Sequence, residues 1–354
     1  MPRLNFSKEH VMREVADFQS RLLASSEVMH KFRDVSLCPT PRSSIASLEG
    51  VTLYRYSGEK RGEPILIVYA LVNRPDMIDL ESGRSLVESL LARGFDVYLI
   101  DWGYPSDSDC SLSLDDYVGR YIDYFVDVIR DSLGSEKINV LGVCQGGTFS
   151  VCYAALNPEK VKRLITTITP INFDTEFDAI SHLFRNVDIN LLMDVHINMH
   201  GDFLNAIFLS LKPYRLLQQK YVRFLENIDD FDASATFFRM EKWIFDSPSV
   251  AAKVFQEFSV EFYQKNSLFL GNLVINGRRV DTQKLTMPIL NIYAANDHLV
   301  PPSSSQGLRS IVPAENYTER EMPGGHIGIY VSTQTDTSVA GILAEWLAGP
   351  AENS

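Results

Sequence analysis

The sequence predicts an α/β protein: a mostly parallel central sheet flanked by helices, with an inserted, mainly helical cap. Three observations carry that expectation. Short, wholly apolar runs alternate with helical stretches; the alternation stops near Pro170 and returns near residue 288; and the intervening segment is helical in pattern and rich in aromatic residues.

ILIVYA at 65–70 suits a strand buried on both faces, because a parallel sheet covered by helices has no polar face to produce alternation. Arg84 to Ala92 reads as a helix closed by Gly94, and DVYLID at 96–101 as a second buried strand. In 114–134, Val118, Tyr121, Ile122, Phe125, Val128 and Ile129 recur at helical intervals, with Gly134 as C-cap. INVLGV at 138–143, a helix from Gly146 to Leu156, and RLITTI at 163–168 complete this half. Strand-like sequence resumes with PILNIYA at 288–294, then a helix near 304–310, a strand near 317–321 and a final helix near 337–347. The expected division is an N-terminal extension 1–44, core 45–173, helical cap 174–280 and the remaining core 281–350. The extension holds one amphipathic stretch, Glu9 to Ser25.

The chain has 354 residues, 45% of them hydrophobic, enough for one large core. A formal net charge of -12 opposes nucleic acid as a partner. The first residues lack the apolar stretch of a secretory signal, and no run is long and apolar enough for a transmembrane segment. Cys38, Cys110, Cys144 and Cys152 form no CxxC pair, which favours an intracellular enzyme with reduced thiols. His196 and His200 stand four apart, with His182, Asp194 and Asp202 nearby, but HExxH is absent and no metal is expected. With no P-loop or dinucleotide fingerprint after a suitable strand, no nucleotide cofactor is expected either.

The chemical signal is Gly142-Val143-Cys144-Gln145-Gly146-Gly147, directly after an apolar strand and before a helix. This is the G-x-nucleophile-x-G turn of the α/β-hydrolase fold, with cysteine where serine is usual. Small residues allow the tight strand-to-helix turn that lifts the central side chain above the sheet. The turn also aims the first helical amides, and the positive end of the helix dipole, at a reacting carbonyl. Cys144 is therefore the expected nucleophile, whereas Cys152, inside the helix, reads as packing.

In this fold an acid and then a histidine follow the nucleophile, on loops after late strands. Asp297 follows the strand at 288–294 in Ala-Asn-Asp-His, and His326 lies in Pro-Gly-Gly-His-Ile-Gly before the last helix. His326 would take the thiol proton or hold the thiolate as an ion pair. Asp297 would orient the imidazole or help activate an incoming hydroxyl. Adjacent Asp297 and His298 would point differently, which leaves His298 a supporting position beside the site. The oxyanion hole needs two donors: the backbone amide of Gln145, and one from the loop 70–75, for which Val72 is the choice. Asn73 and Arg74 would instead shape that loop through side-chain bonds.

Serine would suffice to hydrolyse most esters. A cysteine thioester keeps the acyl group activated, so exchange from a thioester donor loses little transfer potential and a hydroxyl can accept next. The residues alone thus favour acyl transfer. A cysteine-dependent hydrolase of polyesters or thioesters remains open, as does a non-catalytic scaffold that has kept the fold.

Longer motifs narrow this. ILIVYALVNRP at 65–75, GFDVYLIDWGYP at 94–105, LGVCQGG at 141–147, SLKPY at 210–214, FRMEKWIFDSP at 238–248, NIYAANDHLVPP at 291–302 and PGGHIGIYVS at 323–332 occur in consistent order. Over about 48–348 the chain resembles the catalytic subunit of short polyhydroxyalkanoate synthases, class III type. The resemblance implies Cys144, Asp297 and His326 as catalytic residues. It also implies transfer of short-chain 3-hydroxyacyl groups, 3-hydroxybutyryl above all, from coenzyme A thioesters to a growing polyester. Coenzyme A is then a released product and no cofactor is required. The implied partners are a separate non-catalytic synthase subunit, a second copy of the chain and the surface of cytoplasmic polyester granules.

Overall fold

A computed structural model describes residues 35–56, 62–193, 197–212, 214–332 and 337–349, with the isolated positions Arg13, Ala16, Asp17 and Ser20. Most of the stretch Glu9 to Ser25, and also Asp194 and His196, lies outside the described residues. Its strands are β1 (Arg42–Leu48), β2 (Val51–Tyr56), β3 (Pro64–Val68), β4 (Asp96–Asp101), β5 (Ile138–Val143) and β6 (Val161–Thr167). They continue with β7 (Asn198–Met199), β8 (Val250–Ala251), β9 (Val274–Ile275), β10 (Arg278–Arg279), β11 (Ile289–Ala294) and β12 (Tyr317–Met322).

Eight strands form one sheet in the order β1-β2-β4-β3-β5-β6-β11-β12. From β4 to β12 every pairing is parallel; β1 and β2 join antiparallel at one edge. All residues of β4, β5 and β11 are buried, which is why these strands read as unbroken apolar runs. The sheet begins at Arg42, ahead of the boundary expected at 45. Neither β1 nor β2 was expected: β1 is RSSIASL, half-buried or exposed throughout, and gives the periodicity no apolar run to register.

The expected helix over 114–134 is interrupted. Asp115–Tyr121 winds as a π-type turn, and the α-helix proper is Ile122–Leu133, ending at Gly134 in the left-handed region (φ 62°). The helix Leu86–Ala92 starts where the Ser85 side chain accepts from the Glu88 amide. The helix Gln145–Leu156 is buried from Gly146 onward.

Between β6 and β11 lie helices Ala179–Arg185, Ile189–Met193, Gly201–Ser210, Lys220–Glu226, Phe231–Phe245 and Ala252–Phe258, with the pairs β7/β8 and β9/β10. Aromatic rings join this region to the core. Phe258 meets Phe149 of the helix after β5 edge-on at 5.9 Å, and also packs on Phe173 and Phe262. Phe184 stacks on Tyr263 at 5.1 Å. Strand and inserted residues thus share one continuous apolar cluster.

Register brings the functional loops together. Val68 pairs with Gly142, Val143 with Thr167, and Ile292 with Thr167, so β3, β5, β6 and β11 end at one edge. Ligand sites of open parallel sheets lie beyond such carboxyl ends. The turn after β5 fits because Gly146 lacks a side chain where the loop after β3 approaches. A methyl on Gly146 would lie 2.2 Å from the Val68 carbonyl oxygen and 2.5 Å from that of Tyr69. Gly146→Ala is therefore expected to lower stability by about 1–3 kcal/mol, read from the chemical denaturation midpoint. An unchanged midpoint would show that the loop yields freely.

Candidate active site

Cys144 caps the helix Gln145–Leu156 with φ 54° and ψ −125°. For a residue bearing a Cβ that backbone costs roughly 1–3 kcal/mol and needs surrounding structure to hold it. Two bonds do so: the Cys144 amide donates to the Thr167 carbonyl (3.0 Å), and the Cys144 carbonyl accepts from the Gly147 amide (2.9 Å). The sulfur is thereby set at the mouth of a cavity of about 830 Å³.

The acid and the base come from neighbouring loops fastened to each other. The Ala295 amide donates to the Met322 carbonyl (2.8 Å), and the Asn296 amide to the Gly324 carbonyl (2.9 Å). Gly324, at φ 113°, turns the second loop back over the sheet. His326 Nδ1 then meets Asp297 Oδ2 at 2.7 Å, with both side chains almost fully buried. The other carboxylate oxygen, Oδ1, accepts from the amides of Leu299 (2.9 Å) and Val300 (3.0 Å). Asp297 is thus held from both sides, and it leaves Nε2 of His326 for the sulfur. Burial disfavours an imidazolium here. The charge of Asp297, the Cys144 sulfur and hydrogen bonds to both outweigh that cost and push the His326 pKa up to about 10.

All six residues singled out from the sequence line this one cavity: Cys144, Asp297, His326, Val72, Gln145 and His298. His298 and Asp297 also border an adjoining recess of about 600 Å³, with Lys212. Among the described residues, no group of three or more His, Cys, Asp or Glu side chains could hold a metal ion. The four cysteines are free.

Asp101, Trp102, Trp243, Ser247 and Tyr330, which help build the site, went unassigned in the sequence, whereas Arg74 was expected to shape its loop. Arg74 makes a two-pronged pair with Asp101 at the end of β4 (2.7 and 2.6 Å). Its carbonyl accepts from Trp243 Nε1 (2.7 Å), while Ser247 bonds Asn73. The loop after β3 is therefore tied both to the sheet and to the helix Phe231–Phe245. Trp102 Nε1 holds the start of that loop through the Tyr69 carbonyl (2.9 Å). Tyr330, buried beside the cavity, donates to Thr167 Oγ1 and links the histidine loop to the end of β6. A charged residue after a buried strand, as Arg74 is, was the available signal. Asn73 and Arg74 do shape the loop through side-chain bonds, as anticipated.

A strained nucleophile turn between β5 and its helix, with an acid and a histidine after the later strands, defines an α/β hydrolase fold. A family model described as alpha/beta hydrolase fold matches residues 63–333. Among solved structures, a bacterial membrane phospholipase A aligns over 97% of this chain and 97% of its own, with TM-score 0.54 and 14% identity. A hydrolase from Pseudomonas aeruginosa aligns over 87% and 98%, with TM-score 0.52 and 14% identity. At that identity they speak for the fold alone. The sequence relatives are far nearer. The poly(3-hydroxyalkanoate) polymerase subunit PhaC of Allochromatium vinosum is 44% identical over 97% of this chain and 98% of its own length. That of Thiocystis violacea is 43% identical over 98% and 99%, and that of a Synechocystis strain 44% over 96% and 93%. The chain belongs to the poly(3-hydroxyalkanoate) polymerase subunit PhaC family, within the α/β hydrolase fold.

The raised His326 pKa has a sign. A base that is more readily protonated folded than unfolded stabilises fully below its unfolded pKa, about 6.5. That stabilisation is lost as pH climbs through about 10. The advantage of the wild type over His326→Gln in thermal denaturation should be largest near pH 6 and shrink steadily towards pH 10.5. A gap independent of pH would contradict the charged pair.

Proposed function

We propose that the chain polymerises 3-hydroxyacyl groups, taking them from coenzyme A thioesters onto a growing polyester through a thioester on Cys144. The support is a cysteine at a strained elbow, with a buried histidine–carboxylate pair beside it, in a chain of this family. Short-chain acyl groups, 3-hydroxybutyryl first among them, are the proposed substrates.

Each step balances without a cofactor. The Cys144 thiolate, paired with the His326 imidazolium, attacks the thioester carbonyl of the donor. Amides of Gln145 and Val72 receive the developing oxyanion. The carbon–sulfur bond to coenzyme A breaks, and the departing thiolate takes the His326 proton. Neutral His326 then removes the proton from the hydroxyl end of the polymer, whose oxygen attacks the Cys144 thioester. The new ester forms, Cys144 leaves as thiolate, and His326 is again charged. Asp297 serves as the orienting partner, because its two oxygens are already engaged by His326 and by two backbone amides. His298 supports the site from its position beside Asp297.

The cavity also suits such a product. Phe184, Phe208, Trp243, Phe255 and Phe258 line it, and an apolar lining disfavours the water that would divert the thioester to hydrolysis. On the insertion, Leu191, Phe231 and Phe245 are exposed. Such residues support contact with a second, non-catalytic subunit, with another copy of the chain, or with a polyester granule in the cytoplasm. Among the described residues no helix is long and apolar enough to cross a membrane.

Given 3-hydroxybutyryl-coenzyme A, the protein should release free thiol in step with ester-linked polymer, and Cys144→Ala should lose more than about 1,000-fold in that rate. Adding the non-catalytic subunit should raise the rate, and medium-chain donors should react more slowly. If 3-hydroxybutyrate were the sole product, the site would be that of a cysteine hydrolase.

A further inference from the structure

The loop Tyr69–Arg74 presents the second oxyanion donor, and its two ends are fastened. Trp102 holds the Tyr69 carbonyl, and Arg74 is locked to Asp101. Between those ends the loop bends through Asn73 in the left-handed region (φ 62°), which asparagine enters more readily than most residues. Its middle meets the elbow at one hydrogen bond: the Gln145 side-chain oxygen accepts from the Leu71 amide at 3.0 Å. Leu71 is buried and Gln145 half-buried, so the bond is shielded from competing water.

That bond sits one peptide away from the Val72 amide. It fixes the plane of the 70–71 peptide and occupies the Leu71 donor, so that Val72 is the next amide along the loop that can face a substrate. Resting on the oxyanion hole described above, we propose that Gln145 sets both halves of it. Its backbone amide is one donor, and its side chain is the positioning group that aims the other. A residue after a nucleophile is commonly regarded as contributing only its main chain. Here a side chain of matching reach and acceptor chemistry ties the elbow to a loop 74 positions earlier in the sequence.

The test is Gln145→Met, which keeps length and volume but removes the acceptor. A misplaced donor should lower kcat for coenzyme A release from 3-hydroxybutyryl-coenzyme A by about 100-fold, with KM within about threefold. Alkylation of Cys144 by iodoacetamide forms no oxyanion, so its rate should stay within about twofold of wild type. Should the methionine variant lose its thermal transition, Gln145→Asn carries the same two measurements, since its amide is one methylene too short to reach Leu71. Acyl transfer within about twofold of wild type would overturn the proposal. So would a parallel fall in transfer and alkylation, which would mean that the substitution damages the elbow as a whole. Failure of the polymerase reading is distinguishable, because the wild-type protein would then make no polymer.

Discussion

Cys144, the proposed nucleophile, is held at φ 54° and ψ −125°, and the packing around it keeps that backbone in place. The strain is met by close approach, not by special residues at Cys144 itself. A Cβ on Gly142 would lie 2.3 Å from the Gly147 Cα, and one on Gly147 would lie 1.8 Å from Thr169 Oγ1. β5 is flanked by β3 and β6 and is buried along its whole length, so the turn cannot relax by moving the strand. The following helix is equally confined, with every residue from Gly146 to Leu156 buried. Interiors packed this densely transmit displacement, which is how a local strain of a few kcal/mol can persist.

The loop after β3 is the second element under tension between neighbours. On one side it is bonded to the sheet through Asp101 and Trp102, on another to the elbow through Gln145, and on a third to the inserted helices through Trp243 and Ser247. The insertion is thus a structural neighbour of the acyl-binding chemistry as well as a cover over it. Tyr104 extends the same junction: its ring lies over Arg74 at 4.8 Å, and its hydroxyl donates to Asp246.

What was legible in the sequence divides along physical lines. β4, β5 and β11 announce themselves because burial on both faces demands uninterrupted apolar residues. Cys144, Asp297 and His326 are legible because each sits beyond a strand end in a loop marked by glycines or turn residues. β1 was missed because an antiparallel edge strand, half-buried or exposed throughout, can be built from RSSIASL as well as from many other sequences. The π-type turn at Asp115–Tyr121 leaves the apolar spacing of a helix almost unchanged, so periodicity cannot reveal it. Arg74–Asp101 and Gln145–Leu71 join positions far apart in sequence through side-chain bonds. No periodicity records such pairs; only the folded register brings them within reach.

The same division explains why this site suits transfer better than hydrolysis. A cysteine thioester is reactive towards water as well as towards a hydroxyl, so outcome depends on which nucleophile occupies the cavity. Histidine can activate either, and the Asp297–His326 pair is indifferent to the choice. Discrimination must therefore come from the walls, where aromatic and aliphatic side chains from the insertion outnumber polar ones. Water gains few partners there, whereas a polyester chain exchanges apolar surface for apolar surface and delivers its terminal hydroxyl in position. His326 holds its proton because the Asp297 carboxylate, the Cys144 sulfur and hydrogen bonds to both outweigh the cost of burial. The apolar lining thus favours a polymer hydroxyl over water as the acceptor.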